Sequence, residues 1–296
     1  MNKKLIRKAT CWSVLNSCLL YLLPALAFAA PADLERVREL YQQTEYEQAL
    51  RLLEASREKG PEAYELTGKA QYMLENYKKA TDAFEKAVAA DPTNASYVNW
   101  LGKAFGRRAE TSFFLRAPSY ATTARKHFER AVALDSQNLE ALSDLFEYYL
   151  QAPGFLGGGR DKASELSERV RELDPVKYHH MQARLAEKRK DFAVAEQELR
   201  QAAELAPAEE GRLLDLAKFL SGQGRHRESD EIFEHAEQLA PDSPEIKFER
   251  AKTYVRANRN LDVARKLLEQ YLNSPLTPDD PPRSEAQQLL NKARKG

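Results

Sequence analysis

The segment Ala80-Thr81-Asp82-Ala83-Phe84-Glu85-Lys86-Ala87-Val88-Ala89-Ala90-Asp91-Pro92 carries the pattern on which the fold of this chain depends. Ala80, Phe84 and Ala87 recur at helical spacing, which places the three side chains on one face of an α-helix. The alanines allow a second helix to approach closely, and the phenylalanine fills the space between them. Pro92 lacks a backbone N–H and cannot continue the helix. The segment therefore predicts a buried helix that ends just before Pro92.

The same small, large and small triplet recurs before other helix-ending residues. These terminators are Pro61, Pro92, Ser136, Pro175, Pro207, Pro241 and Pro275, at intervals of 31, 44, 39, 32, 34 and 34 residues. The further triplets are Ala124, Phe128 and Ala131; Ala195, Leu199 and Ala202; Ser229, Phe233 and Ala236; two weaker copies at Ala49, Leu53 and Ser56 and at Ala163, Ser167 and Val170; and a copy shifted by one residue at Ala264, Leu268 and Tyr271. Upstream of the triplets lie first helices with their own small contact residues, at Gly68, Gly102, Ala183, Ala217 and Ala251. Each unit is predicted to be a pair of antiparallel helices.

This pattern resembles the tetratricopeptide repeat, whose period is about 34 residues. The resemblance rests on the triplets, on the closing prolines and on Trp100-Leu101-Gly102 with Phe105, and it covers residues 32–275 in seven copies. Phe146 and Val37 depart from it, because they stand where the family has a small residue. The resemblance implies an all-α, right-handed superhelical solenoid of about seven hairpins, whose first helices line a concave surface.

The two ends of the chain are predicted to lie outside these repeats. Residues 1–29 combine basic residues, an apolar run from about Cys11 to Phe28 and the triplet Ala27-Phe28-Ala29, which resembles a secretory signal peptide cleaved before Ala30. An uncleaved membrane anchor is the alternative. Residues 30–275 form the predicted solenoid, and residues 276–296 a proline-rich turn followed by a capping helix from Ser284 to Lys295. The working domain is therefore expected to be periplasmic or secreted, in contact with the membrane only through the transient signal peptide.

Composition narrows the classes of function. The 296 residues include 43% hydrophobic and 30% charged residues, so the chain can bury a core and is not intrinsically disordered. A mean hydropathy of -0.64 and a single apolar segment exclude a polytopic membrane protein. The 45 basic and 45 acidic residues balance, which argues against a nucleic-acid partner. Both cysteines, Cys11 and Cys18, would leave with the signal peptide, and with them any disulfide or thiolate chemistry.

Two of the intervals between the helix-ending residues, those of 44 and 39 residues, exceed the repeat period of about 34 and mark the predicted functional region. The third repeat is longer by residues near 106–119 and the fourth by residues near 151–160, and both additions fall between the first and second helices, on one edge of the stack. Both contain Leu-x-Ala-Pro, which suggests that they pack together. We interpret them as loops that form a lip over the groove, and the alternative is that the first helices are merely extended. The candidate binding residues in these two insertions are Arg107, Arg108, Phe113, Phe114, Arg116, Phe155 and Arg160.

Gly157-Gly158-Gly159-Arg160 permits two interpretations. The glycine amides could point at an anion at the start of the next helix, or the glycines could simply end one helix before the other begins. The motif argues against ATP binding, because a phosphate-binding loop needs Lys followed by Ser or Thr after a strand, whereas Arg160-Asp161 follows a helix.

The residues after the small contact positions of the first helices form a cationic column. It consists of Arg38, Lys69, Lys103, Glu147, Arg184, Lys218 and Lys252, and Asn99 is among the residues that flank it. The column predicts either a carboxylate-rich ligand, such as an acidic peptide, or an ordinary solvated face.

No catalytic or metal-binding pattern is found in the sequence. The adjacent His179 and His180 point in different helical directions, so they cannot chelate one ion alone, and neither a His-Glu-x-x-His motif nor a Gly-x-Ser-x-Gly motif occurs. We therefore predict a non-enzymatic protein without cofactor or metal.

The predicted function is that of an exported adaptor that binds a protein or peptide in its concave groove. One alternative is a periplasmic solute-binding component of a transport system, with the two insertions closing over a small anionic ligand. Another is a structural component of an envelope or secretion complex. The sequence makes no prediction about oligomeric state.

Overall fold

The computed structural model describes residues 34–56 and 59–295, and this part of the chain is built from helices alone. Its fifteen α-helices are α1 (Leu34–Gln42), α2 (Tyr46–Ala55), α3 (Pro61–Met73), α4 (Tyr77–Ala90), α5 (Ala95–Thr111), α6 (Ala117–Leu134), α7 (Leu139–Gln151), α8 (Arg160–Val170), α9 (Pro175–Arg189), α10 (Phe192–Leu205), α11 (Glu210–Gly222), α12 (His226–Leu239), α13 (Pro244–Arg256), α14 (Leu261–Asn273) and α15 (Arg283–Ala293). The all-α class is confirmed. The signal peptide predicted for residues 1–29 lies outside the described residues.

The triplets read from the sequence lie in the core. Ala80, Phe84 and Ala87 are fully buried on α4, and the equivalent residues of α6, α10, α12 and α14 are buried as well. Gly68 shows why a small residue is needed opposite them, because a Cβ atom at this position would lie 2.6 Å from the Phe84 ring. Gly102 stands in the same relation to Phe128, at 2.7 Å. The sequence pattern therefore specifies the packing within each hairpin.

Successive hairpins stack in chain order, and their contacts define an inner and an outer side. Each helix contacts the next one along the chain. The backbone of each first helix also lies close to that of the first helix of the following hairpin, except that α9 and α11 are joined only through side chains such as His180 and Asp215. No two second helices have backbones this close to each other within the described ranges. The first helices therefore lie on the shorter, concave side of the stack. Helix α15 contacts both α13 and α14, so it takes the place of the first helix of an eighth unit.

Most hairpins close through a short turn with one residue in the left-handed region. Thr44, Glu75, Lys190 and Gly224 occupy this position, with φ values of 59°, 60°, 64° and 78°. The third and fourth hairpins differ, because α5 and α6 are joined by residues 112–116, and α7 and α8 by residues 152–159 with a single 3₁₀ turn at Gly154–Leu156. The irregular segments thus lie at the edge where hairpin turns occur.

The insertion in the third repeat is largely helical rather than a loop. The sequence predicted a loop near residues 106–119, whereas α5 continues to Thr111 and α6 begins at Ala117. Pro118 does not interrupt α6, because it lies in the first turn, where its missing N–H removes no helical hydrogen bond. The extra residues therefore lengthen both helices of the third hairpin, whereas the alternative interpretation extended the first helix alone. The insertion in the fourth repeat, near residues 151–160, is a loop as predicted.

Candidate functional site

The two irregular segments line one cavity of about 660 Å³, here called the rim cavity. Phe114, Ala117 and Pro118 form one side, and Pro153 and Leu156 form the other. The floor contains side chains from the first helices, including Lys103, Asp144 and Glu147. The expectation that both insertions meet on one edge of the stack agrees with this geometry.

Large apolar side chains project into solvent beside this cavity. Phe113, Phe114, Leu115 and Phe155, here called the rim patch, are exposed to 67%, 68%, 71% and 82%. The rings of Phe113 and Phe114 lie 4.4 Å apart, between their centroids. Exposed side chains of this size that lie together mark interaction surfaces more often than scattered ones do. The rim patch is therefore the first candidate for contact with a partner.

Internal hydrogen bonds hold the segment 152–159 in place. The Gly159 N–H donates to the Tyr149 carbonyl at 2.8 Å, and the Gly158 N–H donates to the Pro153 carbonyl at 3.2 Å. The Tyr148 hydroxyl donates to the Leu156 carbonyl at 2.9 Å. The Gly157 N–H also bonds to a carbonyl, that of Gly154. All three glycine amides are used within the protein, so the anion-binding interpretation of Gly157–Arg160 is wrong.

The arginines predicted for the two insertions fall into two groups. Arg107 donates to the Tyr77 hydroxyl at 3.0 and 3.2 Å and pairs with Glu110. Arg108 donates to the Tyr120 hydroxyl at 2.7 Å and lies over the Tyr120 ring. Arg116, which follows Leu115 of the rim patch, and Arg160 are exposed and form no ion pair with the residues that the structure describes. Only the latter two are available to a partner.

The cationic column forms a ladder of ion pairs between neighbouring first helices. Lys103 Nζ lies 2.8 Å from Glu140 of α7, Arg184 lies 3.0 Å from Glu147, and Lys252 lies 2.9 Å from Glu285 of α15. Arg38 donates to Glu62 of α3 at 3.0 Å, and Lys218 lies 2.9 Å from Asp215 and 3.9 Å from Glu249. Lys69 pairs with Glu65 of its own helix and lies 5.2 Å from the Trp100 ring centroid. The column is thus paired with carboxylates of the protein itself, which favours the interpretation of an ordinary solvated face over that of a carboxylate-rich ligand.

The buried Asn99 and the half-buried Asp144 form a polar pair next to the rim cavity. The Asn99 amide donates to Asp144 at 2.7 Å, and burial raises the pKa of the Asp144 carboxyl above its ordinary value. The Asn99 side-chain oxygen is buried and has no hydrogen-bond partner in the described part of the chain. The predicted site residue Asn99 therefore supports the floor of the cavity.

Several residues of this surface were missed in the sequence. Trp100 lies between Lys69 and Lys103, with Lys103 Nζ 4.1 Å from the ring centroid. Tyr72, which the sequence already placed beside the cationic column, packs edge-on against the same ring. The pairing carboxylates Glu62, Glu140 and Glu285 all lie in first turns of helices. Acidic residues are favoured in the first turn of a helix because of the helix dipole. This preference is the signal by which the three carboxylates could have been found in the sequence.

His179 and His180 point in different directions, as their adjacency predicts. His179 lies 2.7 Å from Glu198 and His180 lies 3.4 Å from Asp215. Within residues 34–56 and 59–295, no cluster of three or more His, Cys, Asp or Glu side chains could hold a metal ion.

We expect His180 to make the protein less stable in acid. Burial lowers the pKa of His180 from 6.5 to about 4, so the folded protein keeps this ring neutral where the unfolded chain already binds a proton. The stabilisation is present above pH 6.5 and is lost as the pH falls towards 4. Between pH 7 and pH 4.5, the free energy of unfolding should fall by about 2 kcal/mol less in His180→Gln than in the wild type. Urea unfolding at both pH values measures this difference. The exposed His235 provides the control, and equal behaviour of H180Q and H235Q would contradict the prediction.

Comparison with known proteins agrees with this architecture. The tetratricopeptide repeat family model matches residues 34–95. A tetratricopeptide repeat protein from Parabacteroides merdae has a similar structure, with a TM-score of 0.59 and 12% identity over 88% of this chain and 97% of that one. A thermophilic tetratricopeptide repeat protein from Thermus thermophilus gives a TM-score of 0.53 and 21% identity over 63% of this chain and 96% of that one.

A third similar structure is the APC/C hetero-tetramer Cut9–Hcn1, with a TM-score of 0.51 and 13% identity over 87% of this chain and 48% of the matched one. The sequences of curated proteins give no match. In the part of the chain that the structure describes, no helix is both long and apolar enough to cross a bilayer. The resemblance to the tetratricopeptide repeat is confirmed at the level of the fold.

Proposed function

We propose that this chain, a solenoid with the tetratricopeptide repeat fold, is an exported scaffold that binds a segment of a partner protein and anchors it in the rim cavity. The fold is one that generally serves protein–protein contacts without catalysis, and the similar Cut9–Hcn1 structure is itself a hetero-tetramer. The observation that carries the proposal is the rim cavity with the exposed rim patch beside it.

The chemistry of the rim favours apolar anchor residues on the partner. The cavity walls are formed largely by alanine, proline, phenylalanine and leucine side chains, and the nearby charged groups are already paired with one another. Large apolar side chains that fill such a pocket supply most of the binding energy at protein interfaces. Arg116 and Arg160 add exposed positive charge at the edge, where they can select a partner with acidic residues next to its anchor.

The rim cavity is less suited to a small anionic ligand than to an apolar anchor residue of a partner protein. Lys103 and Arg107 face the cavity together with Glu110, Asp144 and Glu147, so the lining has no excess of positive charge. The ion-pair ladder likewise argues against an acidic tail that lies along the whole groove. Export rests on the resemblance of residues 1–29 to a signal peptide.

The rim patch can be tested by removing its aromatic side chains. In the triple variant Phe113→Ser, Phe114→Ser and Phe155→Ser, we expect capture of the partner from an envelope extract to fall at least about tenfold. A photo-reactive amino acid at position 114 should cross-link the same partner in the otherwise wild-type protein. Because all three rings are exposed, stability should change by less than about 0.5 kcal/mol each.

A matched control removes three exposed leucines at the opposite edge. Leu173, Leu205 and Leu239 lie at or just after the ends of second helices, away from the hairpin turns, and are exposed to 40%, 48% and 46%. Replacing all three by serine should leave capture unchanged. If both triple variants lose the partner equally, or if neither does, the rim patch is not the binding site.

A further inference from the structure

The two ends of the solenoid approach each other. The Ser284 hydroxyl lies 3.3 Å from a carboxylate oxygen of Glu75, although the two residues are 209 positions apart in sequence. A cavity of about 450 Å³, here called the terminal cavity, lies between the hairpin turns of the first two repeats and the residues that precede α15. The stack therefore completes one turn, and its end meets its beginning.

The first two hairpins contribute a shaped surface to this meeting point. Thr44 and Glu75 are the left-handed residues of their turns, and both line the terminal cavity. Tyr46, Met73 and Leu74 supply apolar side chains beside them. Tyr46 is also fixed by contact with Tyr41, with ring centroids 5.4 Å apart.

The opposing residues 276–284, here called the closing segment, are held in one conformation. Thr277 donates its backbone N–H and its hydroxyl to Asp280 at 2.8 and 2.9 Å. The Tyr271 hydroxyl donates to the Pro281 carbonyl, and Arg283 donates to the Leu272 and Ser274 carbonyls. Leu276 is buried in the core of the last repeat. Since the segment is ordered by its own repeat, docking it costs little conformational entropy.

We propose that the terminal cavity is an interaction surface for the closing segment of the same chain, so that the solenoid is held as a closed single turn. The closing segment is the part of the protein that meets this surface, because it leads into α15. Helix α15 continues the stack, and its residue Ser284 contacts Glu75. Closure limits access to the concave face to the openings at either side of the ring. A partner segment can enter through an opening, whereas a large folded partner requires the ends to separate.

The charges at the contact make closure sensitive to salt. Glu47 and Glu75 on one side face Asp280 on the other, and the cation at the site, Arg283, is engaged with backbone carbonyls. Like charges that line one cavity repel each other, and added salt screens the repulsion. Closure should therefore tighten as ionic strength rises.

A disulfide between the two ends tests the proposal on the full chain. In a background with Cys11→Ser and Cys18→Ser, the pair Glu75→Cys and Ser284→Cys should form an intramolecular cross-link in glutathione buffer. Its rate should exceed that of the control pair Glu75→Cys and Lys292→Cys by at least about tenfold. Lys292 is exposed on the same helix, but about 12 Å further along its axis.

The outcomes separate closure from its alternatives. A cross-linked monomer, identified by intact mass and gel mobility, supports the proposal. A rate advantage that grows with added salt also supports it, because Glu47 and Asp280 still face each other in this variant. A disulfide-linked dimer would assign the contact to a second copy and overturn it. Equal rates for the two pairs, in variants with wild-type circular dichroism, would also overturn it. None of these results bears on the rim patch, so the proposed function is tested separately.

Discussion

Replacement of Phe84 by alanine is expected to lower the free energy of unfolding by about 3–5 kcal/mol. Phe84 is fully buried, it packs against Gly68, and its ring lies 5.8 Å from that of Trp100, between the centroids, in a stacked arrangement. Gly68 has no side chain that could move into the space, so the substitution leaves a cavity. Chemical denaturation followed by circular dichroism measures the loss.

The effect of this substitution should extend to the concave face. Trp100 rests on Phe84 and in turn holds Lys69 and Lys103, so its fluorescence should also change in the folded variant. Phe155→Ala provides the control, because its ring is 82% exposed and its removal should cost less than about 0.5 kcal/mol. A loss below about 1 kcal/mol for F84A would show that neighbouring side chains can refill the site, against this packing argument.

Replacement of Gly158 by alanine should displace the segment beside the rim cavity. An added Cβ atom would lie 1.9 Å from the Ala152 carbonyl oxygen and 2.6 Å from its carbon, and both are backbone atoms that cannot rotate away. The segment must move, at a cost of about 1–3 kcal/mol, and the hydrogen bond from Gly159 to Tyr149 should break.

Hydrogen exchange gives a local measure of this displacement. We expect the Gly159 amide to exchange at least about tenfold faster in G158A, which corresponds to about 1.4 kcal/mol. Gly154→Ala is the matched control, since no atom lies within 4 Å of the position of its Cβ. Unchanged protection of the Gly159 amide in G158A would mean that the segment absorbs the extra atom without moving.

The hairpins could be predicted from the sequence because each one is specified locally. Ala80, Phe84 and Ala87 lie on one helix, and their partner Gly68 lies on the helix before it, so spacing alone identifies the contact. Pro118 led to the wrong prediction of a loop near residues 106–119. A proline in the first turn of a helix cannot be distinguished by sequence from a proline that breaks a helix.

The candidate site was only partly predictable, because its charges are paired between repeats of unequal length. Lys103 and Glu140 are 37 residues apart, whereas Arg38 and Glu62 are 24 apart, so no fixed spacing reveals the ladder. The approach of Ser284 to Glu75 depends on the small rotation added by every repeat along the stack. Because this rotation accumulates over the whole stack, no single stretch of the sequence indicates that the two ends meet.

The absence of close backbone contacts among the second helices gives the described solenoid a mechanical property. Bending resistance resides mainly in the inner row, where first helices touch and ion pairs join them, while the outer row is linked only through side-chain pairs such as Arg225–Glu196 and Arg259–Asp230. The molecule should therefore behave as an elastic arc that widens more readily than it twists. Tension applied between its ends would be stored along the arc, and release of the load would restore the original radius.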